Sequence, residues 1–238
     1  MLFRSKPTSK ILKNIGAKIK SKNKVKLDYW LGSMDKIKPA DIDKFNKWVT
    51  KYKSPYYFSD KLDGVSALLV YSKDNQIKLF TRGNASEGQD ISHLIKYIPN
   101  IISTYNGNIR GKKNNLAIRG ELIMSKKIFA DKWAKTMKNS RNTVSGLVNS
   151  KIPNPILAQD IRFITYEIVD PVMSYDMQIS ILKNLKFDVV HVKKSTSLSF
   201  DILSEFFEKR RNKSSYDIDG IIINNYQKYK RNTKGNPE

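Results

Sequence analysis

The segment Phe58-Ser59-Asp60-Lys61-Leu62-Asp63-Gly64 constrains this chain most, because it sets one lysine among acids and a glycine directly ahead of a strongly apolar strand. Val65 to Tyr71 is rich in β-formers, Ser72-Lys73-Asp74-Asn75 supplies turn residues, and Gln76 to Thr81 returns with Ile77 and Leu79 in alternation, so a hairpin follows the lysine. Lys61 therefore belongs at the mouth of a sheet rather than on a solvated helix. A lysine attacks an electrophile only as the neutral amine, a form that partial burial or neighbouring cations favour. Arg82, just past the second strand, is one such cation.

With 238 residues, 39% of them apolar, the chain can bury a real core as one large domain or two small ones. Its 44 basic residues against 22 acidic give a formal charge of +22, beyond what solubility requires, and point to a polyanionic partner such as nucleic acid. The competing explanation is the lysine bias of an AT-rich genome, which the many Asn and Ile residues also fit. The absence of cysteine removes disulfides, thiolate nucleophiles and cysteine metal sites. His93 and His191 lie too far apart for a local metal motif. No apolar run approaches the roughly 18 residues of a membrane span, so a soluble, cytoplasmic protein without a membrane partner is expected.

Residues 1–30 read as a basic arm and residues 31–238 as the folded domain. A helix is expected from Asp41, with Ile42, Phe45, Trp48 and Val49 on one face, ending before Pro55. The polar, glycine-bracketed run from Thr81 to Asp90 reads as a binding loop. Leu94 to Ile101 reads as a helix broken at Pro99, and Asn106 to Asn115 as a basic turn. Leu116 to Met124 reads as a strand with Arg119 and Glu121 embedded in it, charges that need partners, the bland alternatives being a mutual ion pair or an edge strand. Phe129, Trp133 and Met137 predict a helix over Lys126 to Lys138, followed by an irregular segment from Asn139 to Pro155. Strands are expected over Ile161 to Val169, Phe187 to Val192 and Asp217 to Ile223, and helices over Met177 to Leu185 and Ser199 to Arg211. The irregular alternation and the hairpin argue for α+β with mainly antiparallel sheets. No G-x-x-x-x-G-K phosphate loop is present.

Several of these residues, taken in order, resemble motifs of the nucleotidyltransferase domain of polynucleotide ligases, and more closely of the NAD-dependent DNA ligases. Lys61-Leu62-Asp63-Gly64 is similar to the K-x-D-G whose lysine is adenylated. Thr81-Arg82-Gly83 with Gly88-Gln89-Asp90-Ile91 is similar to the T-R-G and G-E-D-V run. Arg119-Gly120-Glu121 matches R-G-E, Asn139-Ser140-Arg141-Asn142 with Gly146 resembles N-P-R-N and its following glycine, and Asp219-Gly220-Ile221-Ile222 matches D-G-V-V. Tyr166-Glu167 stands where the family has a stacking aromatic, and Ser33-Met34-Asp35 resembles S-L-D. The similarity runs over about residues 31 to 226.

The resemblance implies the ligase nucleotidyltransferase fold, antiparallel sheets flanked by helices around a nucleotide cleft. Lys61 would attack the α-phosphorus of NAD, expel nicotinamide mononucleotide and carry AMP as a phosphoramide, then pass it to a 5′-phosphate of nicked double-stranded DNA. Glu121 and Arg82 would hold the ribose, Tyr166 would stack on adenine, and Ser33, Met34 and Ser59 would complete the nucleotide site. Arg141 would meet a phosphate of nicotinamide mononucleotide or of DNA. Asp63 would orient or deprotonate Lys61, or else only cap the turn. Mg²⁺ would neutralise phosphate charge, with Asp219 as its protein partner.

The chain departs from the family pattern at two positions and at its ends. Ser59 stands where a glutamate reads the adenine amino group, and Asn224 stands where a lysine is expected, with Lys228 and Lys230 as possible substitutes. The chain stops about where the last lysine-bearing strand would begin, and the OB-fold and the N-terminal cluster that grips nicotinamide have no counterpart. A viral or phage ligase acting in host cytoplasm, or a split enzyme completed by a second ligase chain, would fit these features. ATP as donor, in an RNA or DNA ligase or a capping-type nucleotidyltransferase, and a non-catalytic nucleic-acid-binding relic are the alternatives.

Overall fold

The computed structural model describes residues 23–103, 105, 108, 109, 112, 113 and 115–229. Most of the expected basic arm, the tail beyond residue 229 with Lys230, and part of the turn over 106–114 lie outside them.

The elements follow the chain as strand β1 (Lys24–Lys26), helix α1 (Ile42–Lys51), strands β2 (Tyr56–Leu62), β3 (Val65–Tyr71), β4 (Ile77–Thr81) and β5 (Glu87–Gln89), and a 3₁₀ helix over Ser92–Tyr97. Short strands β6 (Asn108–Ile109) and β7 (Lys112–Lys113) precede β8 (Leu116–Met124). Helices α2 (Lys126–Ile128), α3 (Ser140–Asn149) and α4 (Pro155–Gln159) then lead to β9 (Ile161–Asp170). Helix α5 (Tyr175–Asn184), strand β10 (Val192–Ser195), helix α6 (Phe200–Lys213) and strand β11 (Ile218–Asn225) complete the order. The two main sheets are four-stranded β4-β3-β8-β9 and three-stranded β10-β2-β11, with every neighbouring pair antiparallel. This is the α+β architecture with antiparallel sheets that the sequence predicts.

Side-chain alternation decides what each face of the larger sheet does. Ala67, Leu69 and Tyr71 of β3 and Leu116, Ile118, Leu122 and Met124 of β8 point into the main core with Val144, Leu147 and Val148 of α3 and Leu182 of α5. Each fully buried large aliphatic or aromatic residue contributes about 1.5–3 kcal/mol. On the opposite face, Leu68, Ala117 and Val169 are covered by Leu27 and Leu31. That cover corrects the expected boundary at residue 30, since β1 pairs with β5 and Leu27 donates its backbone N–H to the Ser86 carbonyl at 2.9 Å. Apolar surface exposed on the sheet draws the preceding segment onto it.

The smaller sheet alternates in the same way. Tyr56 and Phe58 of β2 and Ile221 and Ile223 of β11 pack on Phe206, Leu203 and Ile202 of α6 and on Trp48 of α1. Beside Lys61, the carboxylate of Asp60 turns to that buried side and is held by Arg210 at 2.9 Å from Nε and 2.8 Å from Nη2. The faces bearing Ser59 and Lys61 on this sheet, and Ser66, Arg119 and Glu121 on the other, are left to form a cleft. Gly120 lets the strands close behind it, because a Cβ there would lie 2.7 Å from the Phe163 ring and from the Ile164 carbonyl oxygen.

Several local expectations are corrected. The segment expected to be irregular contains α3, whose buried Ser140, Thr143, Val144, Leu147 and Val148 form one helical face, and whose Asn139 cap accepts from the Asn142 N–H at 2.7 Å. Polar, weakly helix-forming residues hide that pattern, and tertiary burial supplies the stability. The helix expected over Lys126 to Lys138 is α2 followed by a π turn over Phe129–Trp133, with the Ala134 N–H bonded to the Phe129 carbonyl. The extra residue breaks the four-residue spacing and leaves Met137 exposed. The strand expected over Phe187 to Val192 is a single parallel bridge at Val189, with regular pairing starting at Val192. Ile42 is exposed, whereas Phe45 is buried.

Arg210→Ala strands the buried Asp60 carboxylate, whose side chain is 3% accessible. The variant is expected to lose about 3–5 kcal/mol of unfolding free energy, read from urea denaturation, and an unchanged midpoint would contradict a structural role for the pair.

Candidate active site

Lys61 is the next-to-last residue of β2, and its pairing with β11 sets what it meets. The register opposes Gly220 to Lys61 and Ile218 to Leu62, leaving Asp219 as an extra residue. A bulge of this kind re-aims a side chain, and here Lys61 Nζ donates to Asp219 Oδ1 at 2.5 Å, both groups about half-exposed. Asp63, expected to orient or deprotonate the lysine or else only to cap the turn, is paired with Arg141 instead and does not line the cleft. The turn into β3 directs it at Arg141 in the first turn of α3, and Asp219 is the carboxylate at the amine.

The larger sheet supplies the opposite wall. Gly64, whose Cβ would sit 2.4 Å from the Leu122 carbonyl oxygen, brings the backbone against β8. Its N–H reaches the Glu121 carboxylate, and burial drives that carboxyl up to about 7, against the pull of the Arg119 and Arg141 charges, the Gly64 N–H and Lys61. A second bulge lies in β9, where Glu167 opposes Arg119 and Thr165 opposes Gly120. Tyr166 is the unpaired residue, so both it and Glu167 face the cleft. The Tyr166 hydroxyl is 2.8 Å from Ser66 Oγ, and the Arg119 guanidinium lies 5.8 Å from its ring centroid and 3.6 Å from Glu167. Glu167, not Glu121, thus makes the close ion pair with Arg119. Arg82 donates to Ser33 Oγ at 3.1 Å, and burial, reinforced by Arg119, lowers its pKa.

The cleft has a volume of about 2310 Å³ and brings together Ser33, Met34, Ser59, Lys61, Arg82, Glu121, Arg141, Tyr166 and Asp219, all expected from the sequence. Arg119, Glu167, Ser66 and Tyr175 join them without having been singled out as site residues. Arg119 had a signal, a charge inside an apolar strand. Among the described residues no group of three or more His, Asp or Glu side chains is arranged to hold a metal ion, and no helix is long and apolar enough to cross a membrane.

The model of the NAD-dependent DNA ligase adenylation domain matches residues 22–233. The chain belongs to that family. A DNA ligase of Acanthamoeba polyphaga mimivirus is 45% identical over 233 residues, a match covering 97% of this chain and 35% of that protein. A protein of Invertebrate iridescent virus 6 that carries a DNA ligase designation is 37% identical over 229 residues, 91% of this chain and 35% of that one. The chain thus spans about a third of the length of the curated relatives it matches. The ATP-dependent DNA ligase from bacteriophage T7, solved in complex with ATP, shares the fold with a TM-score of 0.52 at 15% identity, over 87% of this chain and 66% of that one. As an adenylation-domain relative, the chain keeps a lysine, an acid and a buried guanidinium around one cleft, while two neutral residues, Ser59 and Asn224, line its floor.

The raised pKa of Glu121 has a stability consequence of definite sign. The uncharged carboxyl is what the buried site favours, so its contribution is complete below about 4.5 and is lost as pH rises through about 7. Against Glu121→Gln, which stays neutral, the wild type is expected to lose on the order of 3 kcal/mol between about pH 4.5 and about pH 8, measured by urea unfolding without nucleotide. Parallel pH profiles for the two proteins would contradict it.

Proposed function

We propose that this chain is the adenylating unit of an NAD-dependent DNA ligase, with Lys61 as its nucleophile. The observation that carries the reading is the Lys61 amine at 2.5 Å from Asp219, in a cleft whose far wall holds Arg82, Glu121 and Tyr166. A primary amine, a carboxylate able to take its proton, an aromatic face and buried guanidinium groups suit transfer of an adenylyl group.

In the first step Lys61 Nζ attacks the α-phosphorus of the AMP half of NAD. The N–P bond forms as the P–O bond to nicotinamide mononucleotide breaks, the amine proton passes to Asp219, and nicotinamide mononucleotide leaves with its phosphate. Tyr166 offers the base a flat face, Glu121 and Arg82 hold the ribose hydroxyls, and Ser33 keeps Arg82 in place. Arg119, deep in the site and beside Glu167, preserves positive potential where phosphate charge develops. Arg141, paired with Asp63 at the rim, is placed to meet a phosphate of nicotinamide mononucleotide or of DNA.

A lone half-exposed carboxylate fits Mg²⁺ only in the usual manner of that ion, which keeps several waters and binds through one or two carboxylates together with substrate phosphates. Asp219 is the residue that would hold it, through water, which leaves the carboxylate free to take the Lys61 proton, and the ion would supply neutralisation of phosphate charge. In the further steps AMP passes to the 5′-phosphate of a DNA nick and the 3′-hydroxyl displaces it. The charge of +22 favours such a polyanionic substrate. The mimivirus relative contains the matched segment within one longer protein, which gives no support to the expected second ligase chain.

Incubation with NAD and Mg²⁺ is expected to add one AMP to the intact protein, mapped to Lys61 by peptide mass analysis and abolished in Lys61→Ala. Labelling by ATP but not NAD would contradict the choice of donor. No adduct with either, alongside retained DNA binding, would mark a non-catalytic binding module.

A further inference from the structure

The segment that covers the outer face of the larger sheet is fastened at its middle by one hydroxyl. Leu27 and Leu31 are buried against Leu68, Ala117 and Val169. Between them Tyr29 is half-buried and donates its hydroxyl to Asp170 Oδ2 at 2.9 Å, at the end of β9, with the Asn115 side chain facing the same oxygen. Burial first, and then Asp170, raises the phenol well above its ordinary value, so it stays a neutral donor at any working pH.

What this segment holds is the turn after β4. The backbone N–H groups of Leu27 and Leu31 donate to the carbonyls of Ser86 and Ala85 at 2.9 and 3.0 Å. Ala85 is fully buried with φ at 81°, in the left-handed region that a residue with a Cβ disfavours. Such a conformation persists only where the surrounding contacts over-determine it, and it gathers at functional sites. The contacts here lead to one side chain. The Ala85 N–H closes the turn on the Arg82 carbonyl at 3.0 Å, and the Arg82 N–H is fixed to the Ser66 carbonyl at 3.0 Å. Arg82 Nη1 donates to Ser33 Oγ, two residues beyond Leu31, at 3.1 Å. One segment thus holds Arg82 twice, its main chain through Ala85 and its tip through Ser33.

We propose that Tyr29 is a positioning residue for Arg82: its bond to Asp170 pins the segment Leu27–Ser33, and the pinned segment keeps the Arg82–Glu87 turn wound with the guanidinium already aimed into the cleft. The inference rests on the nucleotide-transfer reading of that cleft. Arg82 lines the cleft and Tyr29 does not, so the tyrosine acts through the arginine. A donor fixed in advance loses little further freedom when its ligand binds, and that preorganisation strengthens binding. Release of the segment therefore weakens nucleotide binding, while the reaction of the occupied site, carried by Lys61 and Asp219, keeps its rate.

A double-mutant cycle separates this from a merely structural role. In calorimetric titration with AMP, Tyr29→Phe, which keeps the ring and loses the hydroxyl, is expected to bind about three- to tenfold more weakly than wild type, the range of one neutral hydrogen bond. In an Arg82→Ala background the same substitution should change the affinity by less than about twofold, because no guanidinium is left to aim. In nucleotide-free protein Tyr29→Phe should speed hydrogen exchange at the Ala85 and Glu87 amides and leave the amides of β3 and β8 as in wild type. Equal AMP affinities for wild type and Tyr29→Phe, the same loss with and without Arg82, or unchanged exchange in the turn would overturn the assignment. A wild type that binds no AMP, with exchange in the turn faster as stated, would instead count against the nucleotide reading of the cleft and uphold the link from Tyr29 to the Arg82 turn.

Discussion

The antiparallel pairing of β2 with β11 is the constraint on which the rest of the site depends. One strand brings the amine and the other the carboxylate, from positions 158 residues apart in the chain, and only the register between them makes the two groups meet. That register is fixed from behind. Phe58, Ile221 and Ile223 are seated on α6, and a slip of one residue would turn those apolar side chains into the cleft and Lys61 into the core. The Asp60 to Arg210 pair on the same buried side adds a polar requirement to the same alignment.

The opposite wall has the complementary problem of keeping charge inside a sheet. Arg119 and Glu121 are both nearly inaccessible, and burying a charge is costly unless it is paired. The strand manages this by giving Arg119 a carboxylate in Glu167 and an aromatic face in Tyr166, and by giving Glu121 a backbone N–H from Gly64 while burial favours its neutral form. The result is a wall with donors and acceptors already oriented, which need not reorganise when a nucleotide arrives. Two β-bulges, at Asp219 and at Tyr166, do the aiming.

These bulges explain what the sequence could and could not disclose. Strands that are continuous runs of β-formers and apolar residues, such as Val65–Tyr71 and Leu116–Met124, were legible, and the structure brings Lys61 and Glu121 to one cleft. A period of two cannot reveal where an extra residue is inserted, so the contact of Asp219 with Lys61, and the pairing of Asp63 with Arg141, waited for the structure. Helix α3 was illegible for another reason, since Ser140, Thr143 and Val144 are weak helix formers whose shared face emerges only once the sheet covers it. Tyr175 gave no signal at all, because its place beside Ser59 and Asn224 depends on residues far away in the chain. The family resemblance pointed to the cleft, and the register sets which carboxylate meets the lysine.

The central claim is that Asp219 holds the Lys61 amine and receives its proton. Its most direct test is the single-turnover rate of lysyl-adenylate formation in Asp219→Asn at saturating NAD. The account predicts a fall of at least about a hundredfold, the lower range for loss of a general base. An unchanged or faster rate would contradict it, showing that the carboxylate only restrains the lysine at rest.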